Sequence, residues 1–395
     1  MNILLVHNFY QQPGGEDQVF ADEGKLLEQH GHEVARFTMH NDAVEGMGKF
    51  ALAKKTIWNK PAQQSLRQAI RNARAEVVHF HNTFPLISPA AYYTAHEEEC
   101  GVVQTLHNFR LLCPGATMFR DGKVCEECMG RWGPWPGVVH GCYRDNRMAS
   151  AAVAAMITFH RKRGTWRKQV DVYIALSQFA RNKFIQGGLP GEKIVVKPNF
   201  VDADLSVGSG EGGFALFVGR LTEEKGIATL LRAWKHLSDR TGLTLKIAGD
   251  GPMRDSVIEA TKTMTRIEFI GRQPSNEIYD MMGRATALIF PSIWYEGQPK
   301  TMIEAMAKGM PIVASRLGTM AEMIDDGKNG LLFTPGDAED LSRQMQRLLE
   351  DAPMRQKMRA AARNEFENRY TADKNYPQLL AIYERAKNAV VNVKA

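Results

Sequence analysis

Short apolar runs recur along the first half of the chain, at Asn2 to Val6, Val34 to Phe37, Val77 to Phe80, Val102 to Leu106 and Val172 to Leu176. Stretches with helical spacing separate them, and each run is too short to be a core helix. Near-continuous apolar strands of this kind belong to a parallel sheet covered by helices. After Pro198-Asn199-Phe200 the chain becomes glycine-rich, at Val207-Gly208-Ser209-Gly210-Glu211-Gly212-Gly213, which reads as a linker. The rhythm then restarts with Phe214 to Val218, Leu243 to Ala248, Ile267 to Ile270, Ala287 to Phe290, Ile312 to Ala314 and Leu331 to Phe333. The pattern predicts an α/β protein of two Rossmann-like parallel-sheet domains facing each other across a cleft, with ligands at the carboxyl ends of the strands. The expected divisions are 1–200, 201–370 and a helical tail, 371–395, that packs back towards the first domain.

Composition leaves this picture in place: 395 residues suffice for two domains, and 44% hydrophobic with 24% charged residues is ordinary for a soluble protein. The first residues read as a strand and not as a basic leader, so a cytoplasmic protein is expected. The longest nearly apolar stretch, Met148 to Phe159, is shorter than the roughly 20 residues a spanning helix needs. Charge adds one feature. Residues 1–200 hold 24 Lys and Arg against 18 Asp and Glu, so the net +6 resides entirely in the first half. Its densest group is Arg144, Arg147, Arg161, Lys162, Arg163, Arg167 and Lys168, flanking that apolar stretch. A solvated face is one reading; an amphipathic helix at the inner face of an anionic membrane is the other.

Four segments carry candidate chemistry. The first strand runs into a loop with Gly14 and Gly15 just before a helix, where backbone N–H groups could meet a diphosphate; a simple turn is the competing reading. Gly219-Arg220-Leu221-Thr222-Glu223-Glu224-Lys225-Gly226 follows the first strand of the second half and offers a guanidinium fork and a mobile ammonium. Glu296-Gly297-Gln298-Pro299-Lys300-Thr301-Met302-Ile303-Glu304 leads from a strand end into a helix start, a place suited to phosphate, with two carboxylates left for hydroxyls. Thr301 and Glu304 also fit a capping box. The triplet Asp202-Ala203-Asp204 looks like a metal-binding D-x-D, but it lies away from any strand end.

Gly219-Arg220 with Lys225, then Gly249-Asp250-Gly251, then Glu296 with Glu304 eight positions on, resembles the retaining glycosyltransferases of family 4, which have the two-domain GT-B fold. The resemblance spans nearly the whole chain. It implies that Glu296 grips hydroxyls of the donor sugar and Glu304 the ribose, while Arg220 and Lys225 clamp the diphosphate and Gly15 lies near it. It further implies backbone contacts from Gly297, Gln298, Pro299 and Lys300, a base resting near Arg272, and His107 beside the transferred sugar. His81 and Asn82 end the neighbouring strand on the acceptor side. No cofactor is then required for catalysis.

The activity implied is transfer of a hexosyl unit from a UDP- or GDP-sugar to a glycan or polyprenyl-diphosphate-linked acceptor, in bacterial surface polysaccharide biosynthesis. Peripheral contact with an anionic membrane would suit that acceptor. An NAD-type oxidoreductase is a weaker reading, because the first strand-loop lacks G-x-G-x-x-G. A non-catalytic nucleotide-sugar-binding protein is another. Nucleic acid is not an expected partner, since the basic residues are scattered and carry no interleaved aromatic motif. Finally, Cys113, Cys125, Cys128 and Cys142 fall close together, as an insertion of about 108–145, while Cys100 stands apart. The Cys125-x-x-Cys128 knuckle with two outlying thiols suits a structural zinc; free thiols and disulfides are the alternatives.

Overall fold

The computed structural model describes every residue except Pro13, Ala203, Asp204 and Ala395, and leaves undescribed the side chains of 238–241 and 391–394. Its contacts divide the chain into two units, Met1–Met118 with Cys125–Asn199 and Ala372–Ala395, and Phe119–Val124 with Phe200–Thr371.

The first unit is built on strands β1 (Asn2–Phe9), β2 (Glu33–His40), β3 (Val77–Asn82) and β4 (Gly101–Leu106). A small antiparallel hairpin, β5 (Phe119–Arg120) and β6 (Lys123–Val124), which belongs to the second unit, precedes β7 (Val172–Ala175) and β8 (Ile194–Val196). The six long strands pair in the order β2-β1-β3-β4-β7-β8, all parallel. Ile3, Leu4, Leu5 and Val6 of β1 are all fully buried, as a central strand covered on both faces must be.

The helix Ala372–Lys394 closes one face of this sheet, burying Leu379, Ile382, Tyr383 and Ala386 at the i, i+3, i+4, i+7 spacing of an apolar stripe. It lies so close to β4 that a Cβ at Gly101 would stand 2.7 Å from the backbone of Ala386. The helix Arg147–Arg163 begins at Asn146, whose side chain accepts from Ala149 N–H at 2.9 Å, and ends at Gly164 with φ +74°. Three consecutive cations, Arg161, Lys162 and Arg163, occupy its last turn, where the helix dipole favours positive charge.

The second unit contains β9 (Phe214–Val218), β10 (Thr244–Ala248), β11 (Ile267–Gly271), β12 (Ala287–Phe290), β13 (Ile312–Ser315) and β14 (Gly330–Phe333). They form one parallel sheet in the order β11-β10-β9-β12-β13-β14, the Rossmann arrangement. One apolar cluster, around Met302, Met306 and Phe366, covers one face; another, around Trp234, Leu341 and Phe333, covers the other.

The glycine-rich run expected as a linker is instead packed onto this unit. Gly208, Gly210 and Gly212 donate N–H groups to the carbonyls of Lys308, Gly283 and Arg284, and the passage is too tight for a Cβ at Gly208. Its glycines serve close approach, and the two units part earlier, at Asn199 and Phe200. Within the acidic triplet, Ala203 and Asp204 lie outside the described residues.

Candidate active site

Strand order decides where the second unit can hold a ligand. From the central β9 the chain winds outwards through β10 and β11, then returns to β9's other side with β12. The loops that leave β9 and β12 therefore diverge at the carboxyl edge and open a crevice. The first contains Gly219 to Gly226, the second Pro291 to Pro299, and the Ile293 N–H to Glu224 carbonyl bond of 2.9 Å ties them together. Gly226 adopts φ +73°, and a Cβ there would collide with the Pro291 carbonyl, so only glycine permits this approach.

At that junction Lys225 Nζ lies 2.7 Å from Glu296 Oε1, and Ser292 Oγ donates to the same oxygen at 2.6 Å. Glu296 is only 5% exposed, so its charge is compensated where water has little access. The Lys225 ammonium also stands over the rings of Trp294 and Phe290, 5.4 and 5.6 Å from their centroids, an arrangement favourable to a cation. Arg220 is exposed, with its guanidinium 3.8 Å from the Glu224 carboxylate. Gly249, at φ +144°, lets the Gly249-Asp250-Gly251 turn pass directly against the carbonyl of Gly219.

The helix Lys300–Ala307 starts at Pro299, whose own side chain offers no cap. Thr301 lies inside its first turn, so the capping-box arrangement of Thr301 and Glu304 does not form; proline has taken the cap position. Glu304 Oε1 instead accepts from Tyr279 O–H at 3.3 Å. The loop before the helix is held by Thr319, whose hydroxyl donates to the Gly297 carbonyl at 2.9 Å, and Gln298 is buried. Arg272 follows β11 and is exposed.

In the first unit, four histidines line adjacent strands near their carboxyl ends: His7 on β1, His79 and His81 on β3, and His107 directly after β4. His81 Nδ1 is 3.0 Å from His107 Nε2. His79 is bonded on both sides, to Tyr383 O–H at 2.9 Å and Thr105 Oγ1 at 2.8 Å. Burial holds the His79 imidazole down at about 4, and pushes His81 and His107 well below the usual histidine range, reinforced by the neighbouring rings. All three are neutral at pH 7. Asn82 is used at both ends, donating to the Asn8 carbonyl at 2.6 Å and accepting from Phe84 N–H at 2.9 Å.

Glu23, His79 and His81 bring ligand atoms within 4.8 Å of one another. Their geometry does not suit a cation: the Lys197 ammonium already sits 2.7 Å from Glu23 Oε1 and 3.0 Å from Asn375 Oδ1, and His79 has no nitrogen to spare. This is a buried ion pair within a polar network.

Gly15 is the first residue of the helix Gly15–Gln29. The Gly14 N–H donates to Asp17 Oδ2 at 2.7 Å, while Asp17 Oδ1 is 2.6 Å from His7 Nε2, so the chain's own carboxylate occupies part of this turn. Sequence reasoning passed over Asp17 and its neighbour Glu16. Glu16 accepts from Asn108 Nδ2 at 3.2 Å, and burial, aided by Asp17, pushes its carboxyl up to about 7. Two acids in a first helical turn beside a glycine pair were the available signal.

Residues 13–205 match the family model Glycosyltransferase Family 4, and residues 207–365 match Glycosyl transferases group 1. Over 216 residues the chain is 27% identical to an uncharacterised glycosyltransferase of Methanocaldococcus jannaschii, covering 54% of this chain and 59% of that protein. Over 231 residues it is 28% identical to the amylovoran biosynthesis glycosyltransferase AmsK of Erwinia amylovora, covering 55% and 57%. The chain thus spans little more than half the length of these curated relatives. Among solved structures it is similar to Anabaena HepE in complex with UDP, with a TM-score of 0.70 at 19% identity, covering 96% of this chain and 99% of that one. WaaG, a glycosyltransferase involved in lipopolysaccharide biosynthesis, superposes with a TM-score of 0.64 at 17% identity, covering 98% and 99%. These are GT-B proteins, and with two Rossmann-like sheets and both halves matched in order, the chain belongs to the glycosyltransferases of family 4.

Proposed function

We propose that the protein transfers a hexosyl unit, with retention of configuration, from a nucleoside-diphosphate sugar to a saccharide acceptor in surface polysaccharide biosynthesis. The observation that carries this reading is the junction of Lys225, Ser292 and Glu296 at the switch point of the second sheet, beside a helix start whose cap position is a proline. Glu296 grips the sugar hydroxyls and Glu304 the ribose. Arg220, Lys225 and the N-terminus of the helix Lys300–Ala307 stabilise the charge that grows on the departing diphosphate. The leaving group then departs from a sugar with oxocarbenium character, and the acceptor hydroxyl attacks on the same face. Neutral His107 orients the reacting groups.

The bound UDP and UDP-glucose named for Anabaena HepE support a uridine donor. A lipid-linked acceptor is supported by the surface of the first unit. Exposed Phe50, Trp132, Trp135, Val139, Met148 and Phe159 lie on or beside elements around the helix Arg147–Arg163, among its cations. No described helix is long and apolar enough to cross a membrane, so contact would be interfacial.

Donor hydrolysis across UDP- and GDP-hexoses tests the reading. One donor should be turned over, and Glu296→Ala should abolish turnover while nucleotide binding persists; turnover unchanged in Glu296→Ala would remove the assigned role. Failure of the protein to co-sediment with anionic liposomes at low salt would remove the membrane step alone.

A further inference from the structure

Residues 108–145 carry little regular structure of their own and are anchored by a few side chains, among them Phe109 stacked on Phe184 and Glu126 paired with Lys183 at 2.6 Å. Their regular structure is confined to two-residue strands and the five-residue helix Trp135–Val139, and their buried apolar side chains are Phe109, Leu112, Pro114, Ala116, Met118, Cys128 and Pro134. Yet five of the nine described non-glycine residues with positive φ fall here: Ala116, Met118, Asp121, Arg144 and Asp145. Each such conformation costs about 1 kcal/mol or more and persists only where surrounding structure over-determines it. A segment this small normally needs a staple.

The cysteines are placed to be one. None forms a disulfide. The thiols of Cys113, Cys125 and Cys142 all lie near enough to Cys128 to act on its charge. Cys125 precedes, and Cys128 lies within, a tight turn closed by the Met129 N–H to Glu126 carbonyl bond of 2.9 Å. The Cys125 N–H is fixed on the Met118 carbonyl at 2.7 Å and the Cys142 N–H on the Gly137 carbonyl at 2.9 Å. The other two segments touch, since a Cβ at Gly115 would lie 3.6 Å from the Cβ of Cys142.

We infer that Cys113, Cys125, Cys128 and Cys142, all in the first unit, bind one zinc ion, which fastens segments 108–118 and 125–145 to one another beside His107. Four thiolates are a soft, closed, tetrahedral set, the chemistry of structural zinc. Binding breaks four S–H bonds and forms four Zn–S bonds. It releases four protons to solvent and leaves a centre of charge −2. The half-buried Arg161 guanidinium, which lies in reach of Cys128, offsets part of that charge. Among the described residues no three of the four sulfurs lie within 4.8 Å of one another, so closure requires the thiols to converge by rotation about their Cα–Cβ bonds.

The test is the zinc content of the full chain purified without chelators, measured by plasma mass spectrometry. We expect about one zinc per chain, lost in Cys125→Ser and Cys128→Ser and retained in the control Cys100→Ser. Modifying the native thiols should release one equivalent of zinc. Should the serine variants fail to fold, cobalt(II) reconstitution of the unaltered chain decides, through the intense visible absorption of tetrahedral thiolate cobalt. Chelation should open 108–145 to proteolysis while UDP still raises the melting temperature, which separates this inference from the proposed activity. A metal-free chain that takes up neither zinc nor cobalt, or disulfides between these cysteines, would overturn it.

Discussion

Lys225 and Glu296 stand 71 residues apart in the chain and meet at 2.7 Å, each held by a loop from a different strand of the same switch point. Glu296 is buried and Lys225 nearly so, which makes the pair costly to break on one side only. Lys225→Met should therefore destabilise the second unit by about 3 kcal/mol and abolish transfer. The double variant Lys225→Met/Glu296→Gln should regain most of the stability and none of the activity. Urea denaturation beside a donor-turnover assay reads both; full stability in the single variant would show the pair to be energetically idle.

The same junction depends on Gly226. Gly226→Ala meets the Pro291 carbonyl at φ +73°, whereas Gly242→Ala meets nothing within 4 Å at φ +65°. Backbone strain is common to both, so their difference isolates the contact. Gly226→Ala should lose about 2 kcal/mol more than Gly242→Ala and lower kcat as well. Equal thermal shifts in the two variants would contradict this.

Burial of His79 gives the first unit an acid limb. Its imidazole titrates at about 4 when folded and 6.5 in the ordinary state, so between these values the unfolded chain binds the extra proton. Stability should be full above pH 6.5 and fall as pH drops towards 4, by up to about 3 kcal/mol from this residue alone. His81 and His107 add in the same direction. In His79→Gln the slope of unfolding free energy against pH over this window should shrink; an unchanged slope would count against the assignment.

Glu16 acts in the opposite sense. Its carboxyl is raised from 4.5 to about 7, so the folded chain holds a proton that the unfolded chain gives up, and this stabilisation, complete below pH 4.5, is lost as pH rises through 7. Glu16→Gln should leave stability unchanged at pH 4 and raise it at pH 8 by on the order of 1–3 kcal/mol. A carboxyl carbon resonance titrating near 7 in the unaltered chain, measured by NMR, is the direct check.

Much of the fold was legible because a strand buried on both faces leaves little freedom of composition. Ile3-Leu4-Leu5-Val6 and Ala287-Leu288-Ile289-Phe290 can hardly be anything else. The strand Ile194–Val196 was not seen, since three residues between Lys193 and Lys197 carry no periodicity. The glycines at 208, 210 and 212 misled for a physical reason: glycine marks both a flexible chain and a backbone pressed against another, and only the neighbours Lys308, Gly283 and Arg284 distinguish them. In the candidate site, the segments were visible as strand-loop-helix units, but the Asp17 bond to Gly14 was not.

By itself the sequence determined the two parallel sheets, the loops at their carboxyl ends and the family, because these follow from local apolar patterning and short motifs. Tertiary structure decided which charges meet. Lys225 and Glu296, Glu23 and Lys197, and the four histidines of adjacent strands are brought together by strand order, and strand order is set by crossover connections and packing that no local window contains. Burial then decides how each group titrates. The same histidine or glutamate is ordinary in an extended chain, and becomes a neutral ring or a protonated acid only when the fold removes its water.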